Sequence, residues 1–413
     1  MGGAKEAWME QHEGPPFLWS ARGKHVCVGC INDRAIRKFI RQSASGTCSF
    51  CKYKNDTAAP FDQVVEFIFA RLSSQYGLAI ETLSYDGREG GYQGGTFDSE
   101  ELLRYHCELN LPRDKDESLI QDLAECLGDE PWCDMLGATD ADVLANSWSA
   151  FSRYIMHEAR FFFAVHAPSY LRDADPSDPV VEPLLMLKRA VSALRRQRCF
   201  VEIDQGTKLY RARVQRRGER HETVLQLGPP PPKFAVSPNR MSPAGVSFTY
   251  LAESDATAVA EIAPKRSATV AIGEFETLRS LRVVDLTRLR GVPSIFDGSD
   301  RAHQLRTDRE FLTGFVRDIH QPIDDSIAPY AYVPTQVVTE FIRASRFHGM
   351  PIDGLRYRSV KGKGGKNLVL FTGREALALS KAESASLSWE EQRKAPGSPV
   401  LALSRRYQRR YRP

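Results

Sequence analysis

No stretch of this 413-residue chain is apolar for long enough to cross a bilayer. The first residues, Met-Gly-Gly-Ala-Lys-Glu-Ala-Trp, lack the apolar core of a secretory signal. The Met-Gly start is not followed by the Ser or Thr at position 6 that N-myristoylation requires, because Glu6 stands there. A cytoplasmic protein with no membrane partner is expected. Charge of one sign is also scarce. With 56 Lys and Arg against 52 Asp and Glu, the net charge is +4, too mild to demand nucleic acid as a partner. There are no internal repeats. At this length the chain can build two or three domains with proper cores.

Cysteine is present eight times, and in a reducing compartment disulfides are not expected. Four of the eight form a pattern. Cys27-Val-Gly-Cys30 and Cys48-Ser-Phe-Cys51 are two C-x2-C pairs separated by 17 residues, the spacing of a structural zinc ribbon. Two such knuckles complete a tetrahedron of thiolates and leave no position open for water. Cys107, Cys126, Cys133 and Cys199 are scattered and read as small core residues.

Along the chain, residues 1–23 are polar and loose in character. Residues 24–175 read as a zinc knuckle followed by helices. Ala35, Ile36, Phe39 and Ile40 recur at helical spacing, as do Val64, Val65, Phe67, Ile68 and Leu72. The glycine-rich stretch after Tyr85 marks tight turns, and Asp98-Ser-Glu-Glu101 reads as a capping box. Ser147 to Phe163 predicts one aromatic-rich, buried helix. Residues 176–200 are a proline-bearing linker and a helix over 184–198. From 201 to 380 the texture changes to short apolar runs, predicting strands at 207–214, 246–252, 268–276, 281–287, 354–359 and 367–372. Helices fit 255–263, 301–319 and 335–346. The fold class is α+β, with a mixed α/β second domain. Residues 381–413 read as a polar, basic tail containing Arg405, Arg406, Arg409, Arg410 and Arg412.

Several apolar runs of the second domain carry a polar residue, costly there without a partner. They are Leu-Tyr-Arg211-Ala-Arg213, Arg240-Met-Ser-Pro-Ala-Gly, Thr-Tyr250-Leu-Ala, Thr-Ala-Val-Ala-Glu261, Tyr-Arg-Ser359 and Asn367-Leu-Val-Leu-Phe. A shared cleft would offer cation, aromatic hydroxyl, carboxylate and small polar groups. That suits an anionic ligand whose reacting centre becomes positive. Strand alternation puts Arg211 and Arg213 on one face, so spacing does not separate them. Tyr250 reads equally well as a core tyrosine. Ser359 and Asn367 could instead cap strand ends. No glycine-rich dinucleotide fingerprint occurs in this region, and Lys361-Gly-Lys-Gly-Gly-Lys366 lacks Walker spacing and reads as a flexible hairpin tip.

These strings, with Val-Val-Asp-Leu-Thr at 283–287 and Tyr-Val-Pro-Thr-Gln at 332–336, resemble the RES domain over about 201–375. The double Cys knuckle, the Glu-Gly-Gly-Tyr-Gln-Gly loop and the Ser-Trp-x-x-Phe helix are similar to the HEPN-like domain that accompanies some RES domains, over about 24–166. The resemblance implies a bacterial toxin that degrades NAD, with a fold similar to ADP-ribosyltransferases. It implies Glu261 as the catalytic carboxylate, with Arg211, Tyr250 and Ser359 beside it. Arg211 and Arg240 would hold phosphates, and Tyr250, Ser359 and Asn367 ribose or nicotinamide. Water, phosphate or a macromolecule could be the acceptor, the last making an ADP-ribosyltransferase. An antitoxin or regulatory partner is implied too. HEPN ribonucleases use an Arg and a His four to six residues apart. Arg160 and His166 fit that spacing, but Phe161 replaces the polar residue usual after the Arg. A rival reading is a nucleic-acid-binding module built on the knuckles and the basic tail.

Overall fold

The computed structural model describes residues 17–51, 53, 57–88, 90–135, 139–164, 168–172, 179–289, 291–324, 326–362, 364–394 and 398–411. Contacts divide the chain into two units, Met1–Thr139 with Val292–Arg306, and Asp140–Gly291 with Thr307–Pro413.

In the first unit a strand at His25–Cys27 pairs antiparallel with Ala58–Pro60. Between them runs helix α1, Arg34–Gln42, where Oδ1 of Asp33 accepts from the backbone N–H groups of Ala35 (2.8 Å) and Ile36 (3.0 Å) and so caps the first turn. Its Ile36 and Ile40 are buried one turn apart. Helix α2, Phe61–Leu72, buries Phe61, Val64, Val65, Ile68 and Leu72. Phe67, expected on that face, is half-buried and stacks on Phe39 with ring centres 4.6 Å apart. The glycine-rich stretch folds into a short hairpin that pairs Tyr85 with Tyr92. Asp98 caps its helix as the sequence predicts, accepting from the Glu101 N–H at 2.7 Å. Helix α3 spans Ser118–Leu127.

The second unit opens with helix α4, Asp140–His157, and helix α5, Pro183–Arg196. The aromatic helix expected to run to Phe163 ends at His157. There the N–H groups of Glu158 and Ala159 both turn back to the Tyr154 carbonyl, and Phe161 and Phe162 stand exposed. The buried residues of α4, including Trp148, Phe151 and Ile155, lie in the same core as α5 and the sheet. Its contacts therefore place α4 in the second unit, although the sequence grouped it with the first.

Eight strands form one sheet. They are β1 (Phe200–Ile203), β2 (Lys208–Gln215), β3 (Thr249–Ala252), β4 (Thr269–Thr277), β5 (Leu281–Asp285), β6 (Gly354–Arg358), β7 (Lys366–Leu370) and β8 (Leu401–Arg410). Their order is β8-β4-β2-β3-β7-β6-β5-β1, antiparallel throughout except for the parallel pair β5–β6. Six of them lie where apolar runs predict them. The edge strands β1 and β8 were not foreseen. The described residues of 381–413, read as a polar tail, are built into the fold. Short helices at Lys381–Ala385 and Trp389–Lys394 precede β8, which pairs with β4 from Thr277↔Leu401 to Thr269↔Arg410. An edge strand needs little apolar sequence, because arginine stems can cover the sheet while their heads stay in water. Helix α6 (Asp255–Glu261) follows β3, α7 spans Asp300–His320 and α8 spans Val333–Ala344. Among the described residues no helix is long and apolar enough to cross a membrane.

Candidate functional site

Helix α6 places the acid. Ser254 caps it, its hydroxyl accepting from the Thr257 N–H at 3.2 Å, while Thr257, Ala258 and Val259 are buried against the sheet. The seven-residue helix ends on Glu261. A carboxylate there faces the negative end of the helix dipole, which costs about 0.3–1 kcal/mol. Three neighbours offset the cost. Ser359 Oγ and Asn367 Nδ2 each donate to Glu261 Oε1 at 2.6 Å, and Lys361 Nζ donates to the Glu261 carbonyl at 3.1 Å. Among the described residues Glu261 Oε2 has no hydrogen-bond partner.

Those neighbours arrive on the β6–β7 hairpin, whose tip is the Lys-Gly-Lys-Gly-Gly-Lys segment. The glycines serve close approach. A Cβ on Gly365 would lie 2.3 Å from Thr257 Oγ1, so only glycine lets the tip lie against α6. Within the tip Gly362 N–H donates to Ser359 Oγ at 2.7 Å and aims that hydroxyl at Glu261.

Glu261 and Asn367 line a cavity of about 570 Å³, and so do Arg211, Arg213, Tyr250, Tyr357, Ser242 and His221, with Phe234 and Val236 among the apolar residues. The two arginines come from β2, on one face as alternation requires. Arg211 Nη1 donates to the Tyr250 carbonyl at 2.8 Å, and Arg213 Nη2 to the Gly228 carbonyl at 2.5 Å. No carboxylate among the described residues pairs with either guanidinium. Burial, with Arg213 alongside, pulls the Arg211 guanidinium down to about 9, and burial lowers that of Arg213. At about 9, Arg211 remains a cation at neutral pH. Tyr250 holds Ser242 through its hydroxyl at 3.0 Å, and burial pushes its phenol up to about 12. Burial also raises Tyr357, opposite Asn367 on the neighbouring strand.

The remaining expected residues fall differently. Ser359 reaches the site through Glu261. Arg240 does not line the cavity. Its guanidinium donates to the carbonyls of Ile319 and, at 2.6 Å, Gln321, at the end of α7, and lies over the Tyr332 ring. Sequence reasoning passed over Tyr357, Ser242 and His221. Strand alternation opposite Asn367 was the available signal for Tyr357, whereas His221 sits in a loop and gave none. Arg160 lies exposed beyond α4, and His166 lies outside the described residues. In the basic C-terminal segment Arg406 donates to the Glu222 carbonyl, and Arg409 pairs with Asp255 at 3.2 Å.

In the first unit Cys27, Cys30, Cys48 and Cys51 converge, their sulfurs all within 4.8 Å of one another. The Cys27–Cys30 and Cys27–Cys51 separations are 3.6 Å and Cys30–Cys48 is 3.7 Å. A tetrahedron with zinc–sulfur bonds of about 2.3 Å has edges of about 3.8 Å, so four soft donors at this spacing could hold a metal such as zinc. Arg113 Nη1 lies 3.8 Å from Cys27 Sγ and 4.0 Å from Cys51 Sγ. It places a positive charge beside the sulfurs.

Fold and site thus define a helical unit bearing a four-cysteine cluster, joined to a mixed α/β unit with a cationic cavity and one buttressed carboxylate. Residues 41–169 match the HEPN/RES N-terminal domain 1, and residues 208–390 match the RES domain. No curated protein and no solved structure is a match for the chain. The chain is a RES-domain protein with an N-terminal HEPN/RES-associated domain. At a coarse level the RES domain belongs to a toxin-like, NAD-related enzyme family.

Proposed function

We propose that the RES unit cleaves the bond between nicotinamide and ribose in NAD, by hydrolysis or phosphorolysis, and that the chain acts as a toxin or defence effector. One observation carries this reading. A single cavity holds a carboxylate steadied by two neutral donors, together with two half-buried guanidiniums that have no counter-ion among the described residues. Two half-buried cations without a carboxylate beside them call for an anionic ligand. Of the nucleotide's parts, its pyrophosphate fits the arginine fork.

As the C1′–N bond breaks, its electron pair leaves on the nicotinamide nitrogen and positive charge grows on C1′. Glu261 Oε2, the oxygen without a partner among the described residues, faces that charge. The incoming oxygen of water or phosphate bonds to C1′, and the carboxylate or solvent takes its proton. Ser359 and Asn367 fix Oε1 so that Oε2 keeps its aim. Arg211 and Arg213 bind phosphate oxygens, and Tyr250 and Tyr357 wall the reacting end. Arg240, held by the end of α7, positions the Arg240–Ser242 segment and through Ser242 the Tyr250 ring. In the first unit the four cysteines hold one structural zinc, with Arg113 offsetting thiolate charge.

The test is Glu261→Gln. The amide keeps the shape and loses the charge, so NAD should bind as tightly while turnover falls on the order of 100-fold or more. An unchanged rate would remove Glu261 from the chemistry.

A further inference from the structure

The cavity has a second pole. Arg213 Nε is shut off from solvent without a partner, and so is Nδ1 of His221, in the loop between β2 and the short helix Val224–Leu227. His221 makes no hydrogen bond to any described residue. Arg213 uses only Nη2, on the Gly228 carbonyl. Both enclosed atoms are out of a ligand's reach, which leaves the other nitrogens of each group for one. A neutral imidazole carries one N–H, and with Nδ1 enclosed, hydrogen on Nε2 is the one a ligand can use. Arg213 Nη1 is likewise unengaged. The two basic groups are close enough that Arg213, after burial, helps lower the His221 ring, with Glu219 opposing. The exposed rings and chains of Phe234 and Val236 border the same cavity. They offer an apolar surface to a flat base.

We propose that Arg213 and His221 form a phosphate subsite separate from Arg211, which takes the adenosine-side phosphate of a dinucleotide and makes the site select ligands that carry that phosphate over nicotinamide mononucleotide. This rests on reading the cavity as a nucleotide site. Arg211, bonded to the strand that carries Tyr250, serves the phosphate nearer the reacting end. Arg213 and His221 serve the farther one, and His221 determines specificity without touching the reacting atoms.

The experiment measures equilibrium binding of NAD, ADP and nicotinamide mononucleotide to the full chain in the Glu261→Gln background, where turnover does not interfere. His221→Ala and the milder His221→Gln are compared, each checked for an unchanged unfolding temperature. Losing one hydrogen bond to a charged group should weaken NAD and ADP about tenfold or more with His221→Ala and leave nicotinamide mononucleotide unaffected. Inorganic phosphate should displace ADP only when His221 is present. Equal losses for all three nucleotides, or none, would overturn the subsite. Turnover is read separately on the otherwise wild-type chain. His221-dependent ADP binding without NAD cleavage would keep the subsite and defeat the proposed reaction. NAD cleavage with His221-independent binding would do the reverse.

Discussion

Glu261 and Arg211 are each placed where a charge is expensive, one at the negative end of a helix, the other half-buried beside a like charge. Their costs are met by Ser359 and Asn367 in the first case and, on the proposed reading, by substrate in the second. This gives a pH dependence with a definite sign. Arg211 has its guanidinium depressed to about 9, so it is charged below that pH and loses its proton above it. NAD affinity should therefore stay level from pH 7 to about 8.5 and decline above about 9, well before an ordinary arginine would titrate. Titrating NAD binding to Glu261→Gln across that range checks it, and affinity unchanged to pH 10.5 would contradict the lowered guanidinium of Arg211. Truncating Ser359 or Asn367 to Ala should lower kcat more than affinity, because each aims the carboxylate. These residues were legible because polar groups stood alone in apolar strands. Sequence could not show that Arg240 spends its guanidinium on the carbonyls at the end of α7, since only the fold reveals which partner reaches an arginine first.

Helix α6 is gripped from both ends. The β6–β7 tip holds its C-terminus. At its N-terminus Asp255 Oδ2 accepts from Tyr407 Oη at 3.0 Å and Arg409 Nη1 at 3.2 Å, both on β8. Tyr407 and Tyr411 also pack against the cluster containing Ala258 and Val259. The match to the RES domain stops at 390, so β8 lies beyond the matched span. Asp255→Asn and Tyr407→Phe should reduce kcat several-fold with NAD affinity held. Affinity and rate falling together would indicate general loosening instead. Gly365→Val should do more harm than either, since its side chain would displace α6 from the hairpin. In the first unit, the cysteine cluster predicts one zinc per chain by elemental analysis. Cys48→Ser should lower the unfolding temperature of that unit, and Arg113→Met should speed zinc loss to a chelator. Strands and helices in the interior were legible because their periodicity is strong. The edge strand β8 was not, because its alternation is written in arginine and tyrosine and becomes visible only once β4 offers it a partner.

For the whole molecule, a four-cysteine unit joined to a RES unit is read as a regulated NAD-degrading effector. Expression in a bacterium should lower cellular NAD and arrest growth, and Glu261→Gln should abolish both. Growth arrest with NAD intact and RNA cut would move the activity to the HEPN-associated domain. The sequence changes texture near residue 200, where the strands of the sheet begin, whereas contacts divide the chain after Thr139. That α4 shares its core with the sheet was not legible in the sequence, because an apolar helix face does not name its partner. The most direct measurement is incubation of the purified, zinc-loaded chain with NAD, with and without phosphate, followed by chromatographic separation of the products. The account predicts one nicotinamide released per NAD lost, with ADP-ribose or its 1-phosphate as the other fragment. NAD left intact by the folded chain, or ADP-ribose recovered only on protein or nucleic acid, would contradict it.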